Sequence, residues 1–497
     1  MRNNPVIRAD YPDLDVIRVG DTYYMISTTT HFFPGGVILR SHDLIHWETA
    51  AHIYDALDHT PAQRMEDGWM YAHGMWAASL RWHGGLFHAL FCANDTHKMY
   101  YYTAETVEGK WTRQPMEGFY HDNSVLFDDD GRVYIVYGGR DIHLTEMESD
   151  LSKPKVGGLD KIILSDTQPG LGYEGSHLYK INGKYYIFLI HWPVGHMRTE
   201  AVFMADSLDG EWVGGDVPED DMDFFRQGVA QGGIVDTPSG EWFAMLFQDH
   251  GAVGRIPVLV PIVWENDFPK LLPAPDEIYP EDSRPGYAYR PLYGDDDFDA
   301  PLLNDAWEWN HEPTLSLVKF GAGELRLSTD RVDQDVEHAR NTLTRRTFTP
   351  GCTAEIMVDG SGLHDGDFAG LCALEGLWAQ IGLTREDGKL FIAVTGKTDE
   401  GISETGRIPV DSDTVRLRAV FDFHALTDTV TFYYESGEEW KPLGAPHKMV
   451  YRLDHFAGVR IGLFAYSTKN PGGSAGFRKF RMTIEEPEER ADFMKEG

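Results

Sequence analysis

Three carboxylates stand where chemistry can be done: Asp13, Asp122 and Glu174, each shortly before a tight turn that leads into an aromatic strand. The turns read Gly20-Asp21-Thr22-Tyr23-Tyr24, Gly84-Gly85-Leu86-Phe87, Asp130-Gly131-Arg132-Val133-Tyr134, Asn182-Gly183-Lys184-Tyr185-Tyr186 and Ser239-Gly240-Glu241-Trp242-Phe243. Counting nine residues back from Gly85, Gly131, Gly183 and Gly240 reaches Trp76, Asp122, Glu174 and Gln231, and the shorter first copy offers Asp13. Two or more carboxylates facing each other across a pocket with an aromatic wall suit glycoside hydrolysis. One carboxylic acid protonates the leaving oxygen, and another carboxylate either attacks the anomeric carbon or activates water. A third nearby raises the pKa of the acid, because like charges resist joint ionisation. Trp76 offers a face to sugar C–H groups, or packs a core.

What must position these residues is a repeat. The turn glycines at 20, 85, 131, 183 and 240 lie 46 to 65 residues apart. A second signature, a short polar turn followed by tryptophan, recurs as Ser41 to Trp47, Thr106 to Trp111 and Ser207 to Trp212. Each period holds about four short strands, the size of one propeller blade. Five periods ending near residue 275 predict an all-β chain with a five-bladed β-propeller over residues 1–285. The first strand of each blade lines the central channel, so residues at one offset before each hairpin meet around the axis.

Composition agrees with strands and turns: of 497 residues, 51 are Gly, 26 Pro and 12% aromatic. The formal charge of -35 excludes nucleic acid and an anionic membrane as partners and is compatible with a neutral sugar. No run of about 18 apolar residues occurs, and Met1-Arg2-Asn3-Asn4-Pro5-Val6 leads into the first strand without room for the apolar core of a signal peptide. Cys92, Cys352 and Cys372 are an odd number within strand-like segments, which predicts buried thiols and a cytoplasmic protein.

Beyond residue 275 a Pro- and Asp-rich connector runs to Asp297, and strands resume without the blade signature, for example Thr353 to Val358, Thr414 to Val420 and Val459 to Phe464. Alternation between Gly and Asp turns predicts an antiparallel β-sandwich of jelly-roll or concanavalin-like type over residues 290–488.

Asn4-Pro5-Val6 with Tyr11-Pro12-Asp13, then Gly74-Met75-Trp76-Ala77, His121-Asp122-Asn123-Ser124 and Glu174-Gly175-Ser176-His177, resemble in order the motifs of glycoside hydrolase family 43. The resemblance implies a five-bladed enzyme that inverts anomeric configuration, with Asp13 as the base that activates water, Glu174 as the acid, and Asp122 orienting Glu174 and raising its pKa. It departs from the family at Leu14, Ala78 and Ser176, where proline is frequent; no carboxylate is lost. His31 and Phe32 resemble a pocket-forming loop of the family's xylosidase-like branch. Arg255 matches an arginine near the sugar. His250 matches an axial histidine that touches water or a structural calcium, with a metal-free histidine the alternative; no cofactor is required. The same branch implies an accessory sandwich whose loop reaches the pocket, and His364 to Gly370, with Phe368 at its tip, is the expected loop.

The reading that follows is an exo-acting, inverting β-1,4-xylosidase acting on short xylo-oligosaccharides. Its rivals are an α-L-arabinofuranosidase acting on arabino-oligosaccharides, a sugar-binding propeller without catalysis, and a retaining sucrose-cleaving enzyme, the last disfavoured because an Asn-Asp-Pro-Asn-type signature is absent near the N-terminus. A homo-oligomer is compatible with the sequence.

Overall fold

The computed structural model describes residues 2–486, so the last two residues of the expected 290–488 domain, and Met1, lie outside the described residues. Five four-stranded antiparallel meanders succeed one another. Blade 1 runs from Asp15–Val19 to Glu48–Tyr54, and blade 2 from Met75–His83 to Thr112–Gln114. Blade 3 runs from Ser124–Phe127 to Asp160–Ser165, blade 4 from Gly170–Ile181 to Val213–Asp216, and blade 5 from Ala230–Asp236 to Phe268–Leu271. Gly20, Gly85, Gly131, Gly183 and Gly240 all sit at positive φ in the first hairpin of their blades, a conformation glycine adopts without a Cβ penalty. The ring closes where Leu14 bridges Gly232 in parallel. It is tied again by the Asn4 side chain, which brackets Leu259 of blade 5 by accepting from its N–H and donating to its carbonyl.

The channel is filled rather than open. Asp15, wholly buried, accepts hydrogen bonds from Arg81 Nη1 at 2.6 Å and from the Leu80 N–H at 2.7 Å, and lies 3.1 Å from His177 Nδ1. Arg81 also donates to Ser124 Oγ at 2.8 Å. Blades 1 to 4 each contribute one of these side chains. Blade 5 contributes Gly233, where a Cβ would fall 2.8 Å from both Asp15 Oδ1 and the Tyr179 hydroxyl.

The second half forms two stacked sheets. Their facing residues alternate along the strands, Ala369, Leu371, Ile381 and Leu383 against Ile356, Val358, Leu417 and Phe477, and all are buried in one core. The propeller joins this sandwich through main chain as well as side chains: the short blade-1 strand Phe32–Phe33 pairs with Glu308–Asn310 at the edge of one sandwich sheet. Beside that junction Glu308 is buried between Arg346 at 2.9 Å and Arg460 at 2.8 Å. Burial pushes its carboxyl up, but the two guanidiniums outweigh burial and hold it well below the usual range. Asp10 completes the seam, accepting from the N–H groups of Arg255 and Gly458, each at 2.8 Å. Among the described residues no helix is long and apolar enough to cross a membrane.

The axial knot generates a stability prediction. Burial pushes Asp15 up while Arg81, His177 and the Leu80 N–H hold its carboxyl below the usual value, so its contribution is present above the unfolded carboxylate pKa and is lost as pH falls through the folded one. Asp15→Ala strands the Arg81 charge and is expected to lower stability by about 3–5 kcal/mol in urea unfolding. Adding Arg81→Met should recover part of that loss, because the stranded charge is its cause. A change under about 1 kcal/mol in the single variant would show that the knot does not hold the blades.

Candidate active site

The chain arrives at the mouth of the channel in a left-handed conformation at every blade. Asp13 (φ 54°), Asp122 (φ 50°) and Gln231 (φ 60°) adopt it with side chains, and Gly74 and Gly175 adopt it as glycines. Asp tolerates this region better than most residues, and the turn aims each side chain away from the strand that follows. Asp122 and Glu174 come together with His121, their ligand atoms all within 4.8 Å of one another. The Gly175 N–H donates to Asp122 Oδ2 at 3.0 Å, and the Ser176 N–H reaches the Asp122 carbonyl at 3.3 Å. Gly175 is required twice over, by its φ of 63° and because a Cβ there would meet the Gln231 side chain at 2.7 Å. Gln231 is held from behind by Glu200, whose carboxyl accepts from the Gln231 N–H at 2.7 Å.

Asp13 stands apart from that pair. It accepts from Arg255 Nη1 at 2.7 Å, while Arg255 Nε and Nη2 are buried without a hydrogen-bond partner among the described residues. Trp76 lies beside His121, with ring centroids 5.5 Å apart, and donates its indole N–H to the Ala72 carbonyl.

These groups differ in how they hold protons. Burial first, then the charges of Asp122 and Asp13, push Glu174 up to about 8 against a weaker pull from Arg198. Asp122 is also raised, by burial above all and by Asp13, while His121 and the Gly175 N–H pull it down. Asp122 accepts the Gly175 N–H, whereas among the described residues the Glu174 carboxyl shows no hydrogen bond, so the shared proton belongs on Glu174. A protonated Glu174 facing an Arg255-paired carboxylate is an acid and a base across one pocket.

Several residues that complete the site carry no blade signature. Phe456, from the sandwich loop that precedes the strand Arg460–Ser467, lies 5.6 Å from the Trp76 ring and 4.6 Å from the Arg255 guanidinium carbon. Arg255 and Arg198 both lie over Phe247, and Arg198 also lies over Trp192 and pairs with Asp249. A chain of contacts therefore runs Trp192, Arg198, Phe247, Arg255, Phe456, Trp76, His121, alternating ring and cation over most of its length.

Four expected positions are corrected. Phe368 is not at a loop tip; it is buried within the strand Asp367–Leu374 against Phe464 and Tyr466, and Phe456 supplies the sandwich contact instead. His31 and Phe32 are buried in the domain seam rather than on the pocket. His31 packs against Tyr71 and His311, and Phe32 lies under Arg460, because the strand Phe32–Phe33 is drawn into the sandwich sheet. His250 is not on the axis, where His177 sits; it stacks on Phe224 at 3.9 Å with Nε2 2.9 Å from Gln248 Oε1. Burial, with Arg2 nearby, lowers it to about 3. Calcium takes six to eight oxygens, and a histidine beside an arginine, a ring and an amide does not fit that set.

The family profile for glycosyl hydrolases family 43 matches residues 2–269, and the profile described as the beta xylosidase C-terminal concanavalin A-like domain matches 295–483. A beta-xylosidase of Formosa agariphila is 27% identical, covering 95% of this chain and 88% of its own length. A non-reducing end alpha-L-arabinofuranosidase of Bacteroides ovatus is 24% identical over 74% of this chain and 72% of its own. A solved structure of a bifunctional GH43-CE protein of Bacteroides eggerthii has a TM-score of 0.91 at 40% identity over 98% of this chain, which spans 64% of that protein's length. An engineered GH43 glycoside hydrolase, described as displaying endo-xylanase and exo-arabinofuranosidase activity, has a TM-score of 0.85 at 28% identity, covering 97% of this chain and 99% of its own.

The proton arrangement is open to direct titration. With carbon-13 labelled glutamate, one carboxyl should titrate near 8 and vanish in Glu174→Gln. Asp122→Asn removes a neighbouring negative charge, so the Glu174 titration should move to lower pH by about one unit or more. An unmoved titration would show that the Asp122 charge does not set it.

Proposed function

The chain belongs to glycosyl hydrolases family 43, and on that premise we propose that it is an exo-acting, inverting β-1,4-xylosidase that releases xylose from short xylo-oligosaccharides. One observation carries the reading. A raised, protonated Glu174 is clustered with Asp122, whereas Asp13 lies outside that 4.8 Å group and is held by Arg255. An inverting enzyme of this kind places a water molecule between its acid and its base. In the reaction Glu174 gives its proton to the glycosidic oxygen as the C–O bond breaks. Asp13 takes a proton from the water that attacks the anomeric carbon from the opposite face. Asp122 keeps Glu174 protonated until then by its charge. Phe456 and Trp76, in contact with each other, border one side of the pocket, which favours attack on a chain end. The buried free thiols of Cys92, Cys352 and Cys372 support a cytoplasmic setting.

The second reading, an α-L-arabinofuranosidase, is favoured by the Bacteroides ovatus relative of that name. Paired aryl β-xyloside and aryl α-L-arabinofuranoside substrates separate the two; the β-xyloside should give the higher kcat/KM, and a reversed order overturns the xylosidase reading.

Three further outcomes test the roles and the stereochemistry. Glu174→Gln should lower kcat on xylobiose by about 10²–10⁴-fold and on aryl glycosides with good leaving groups far less; equal losses would remove Glu174 as the acid. Asp13→Asn should abolish turnover yet leave sugar binding measurable by calorimetry. Proton NMR of wild-type hydrolysis should show the α-anomer of xylose first; the β-anomer first would establish retention.

A further inference from the structure

Blade 4 differs from the others at the channel mouth. Its first strand, Gly170–Ile181, has 12 residues, against 4 to 9 in the first strands of the other blades. The ladder to the next strand does not end where Glu174 pairs with Ile190; it continues outward to Leu171 with Trp192 and Gly170 with Pro193. The result is a two-stranded lip standing above the acid. Arg140 braces it from outside, donating to the carbonyls of Gln168 and Gly170, each at 2.7 Å, and packing so close that a Cβ on Gly172 would fall 2.9 Å from its Cα.

Trp192 is the aromatic residue of this lip. Its indole N–H is fixed on the His196 carbonyl at 2.9 Å, and the Arg198 guanidinium lies 4.9 Å from its ring. Yet 42% of the residue stays exposed. Trp192 follows Ile190, the residue that pairs with Glu174, by two positions in the same ladder, which puts it on the face of the strand that Ile190 occupies beside the acid. An acid that protonates the leaving oxygen must have the leaving group on its own side. A rigid ring held there with open surface matches the C–H face of a sugar.

We propose that Trp192 is a stacking platform for the leaving-group sugar, so that the blade-4 lip is a second sugar subsite taking a neutral pyranose or furanose ring beyond the scissile bond. The inference rests on the glycosidase reading above. It is tested by comparing kcat/KM on xylobiose with that on β-xylosyl fluoride, whose leaving group is a single atom and needs no platform. In Trp192→Ala the ratio of xylobiose to fluoride activity should fall about tenfold, the loss of an aromatic contact worth about 1.4 kcal/mol. Trp192→Phe, which keeps a ring, should hold the ratio within about threefold of wild type. Equal proportional losses on both substrates, or no change on either, would overturn the platform. Wild-type protein that hydrolyses neither substrate would overturn the xylosidase reading itself, and the platform with it.

Discussion

The propeller depends on one buried carboxylate. Asp15 gathers a guanidinium from blade 2, an imidazole from blade 4 and, through Arg81, a hydroxyl from blade 3. A charge this deeply desolvated is costly unless its partners stay in place, so the four side chains fix the angular positions of their blades. The same strands carry the chemistry a few residues earlier: Asp13 precedes Asp15 by two, Asp122 precedes Ser124 by two, and Glu174 precedes His177 by three. Packing on the axis is thereby converted into spacing at the mouth. The left-handed residues at the mouth store backbone strain of about 1–3 kcal/mol for a side-chain-bearing residue, and a knot of paired charges just below them can hold such strain.

The sandwich is part of the same machine. Asp10, three residues before the base, binds the main chain of Arg255 with one oxygen and that of Gly458 with the other. A single carboxylate thus sets the distance between the Arg255 backbone and the sandwich loop that carries Phe456. The Arg255 side chain then lies between Phe247 and Phe456 while its Nη1 holds Asp13. Removing the second domain would leave Arg255 with one ring instead of two and Trp76 without its neighbour, and the pocket would lose a wall together with much of its low dielectric.

The parts of this design that repeat were legible in the sequence, and the parts that occur once were not. Five turn glycines with aromatic strands behind them announce five blades, and a constant offset from those turns reaches Trp76, Asp122, Glu174 and Gln231. Asp15 was less accessible, because a lone carboxylate at the start of an apolar run reads as a surface position. Phe456 carries no such signal. It meets Trp76 across the domain seam, and nothing local distinguishes it from Phe368, another aromatic beside a Gly-rich turn that ends up in the sheet. His31 and Phe32 were misplaced for a related reason: whether a short aromatic stretch faces a pocket or becomes an edge strand depends on the partner it finds, here Glu308–Asn310 in a distant part of the chain.

The charge balance of the pocket explains why an acid and a base persist side by side. Asp13, Asp122 and Glu174 share the mouth with one directly paired guanidinium, that of Arg255, because Arg198 is already matched by Asp249. Three ionised carboxylates around the Arg255 guanidinium, which is already paired with one of them, would repel in a buried site, and taking up one proton relieves that repulsion. The geometry decides who carries it: Asp13 faces Arg255, Asp122 receives the Gly175 N–H, and Glu174, with neither, is left as the acid. In the proposed reaction, passing that proton to the leaving oxygen restores negative charge beside the sugar as positive charge develops on its ring. The repulsion that raised the acid in the resting enzyme then becomes attraction for the oxocarbenium-like transition state. A neutral sugar in the ground state feels little of it, so the stabilisation is confined to the step that needs it.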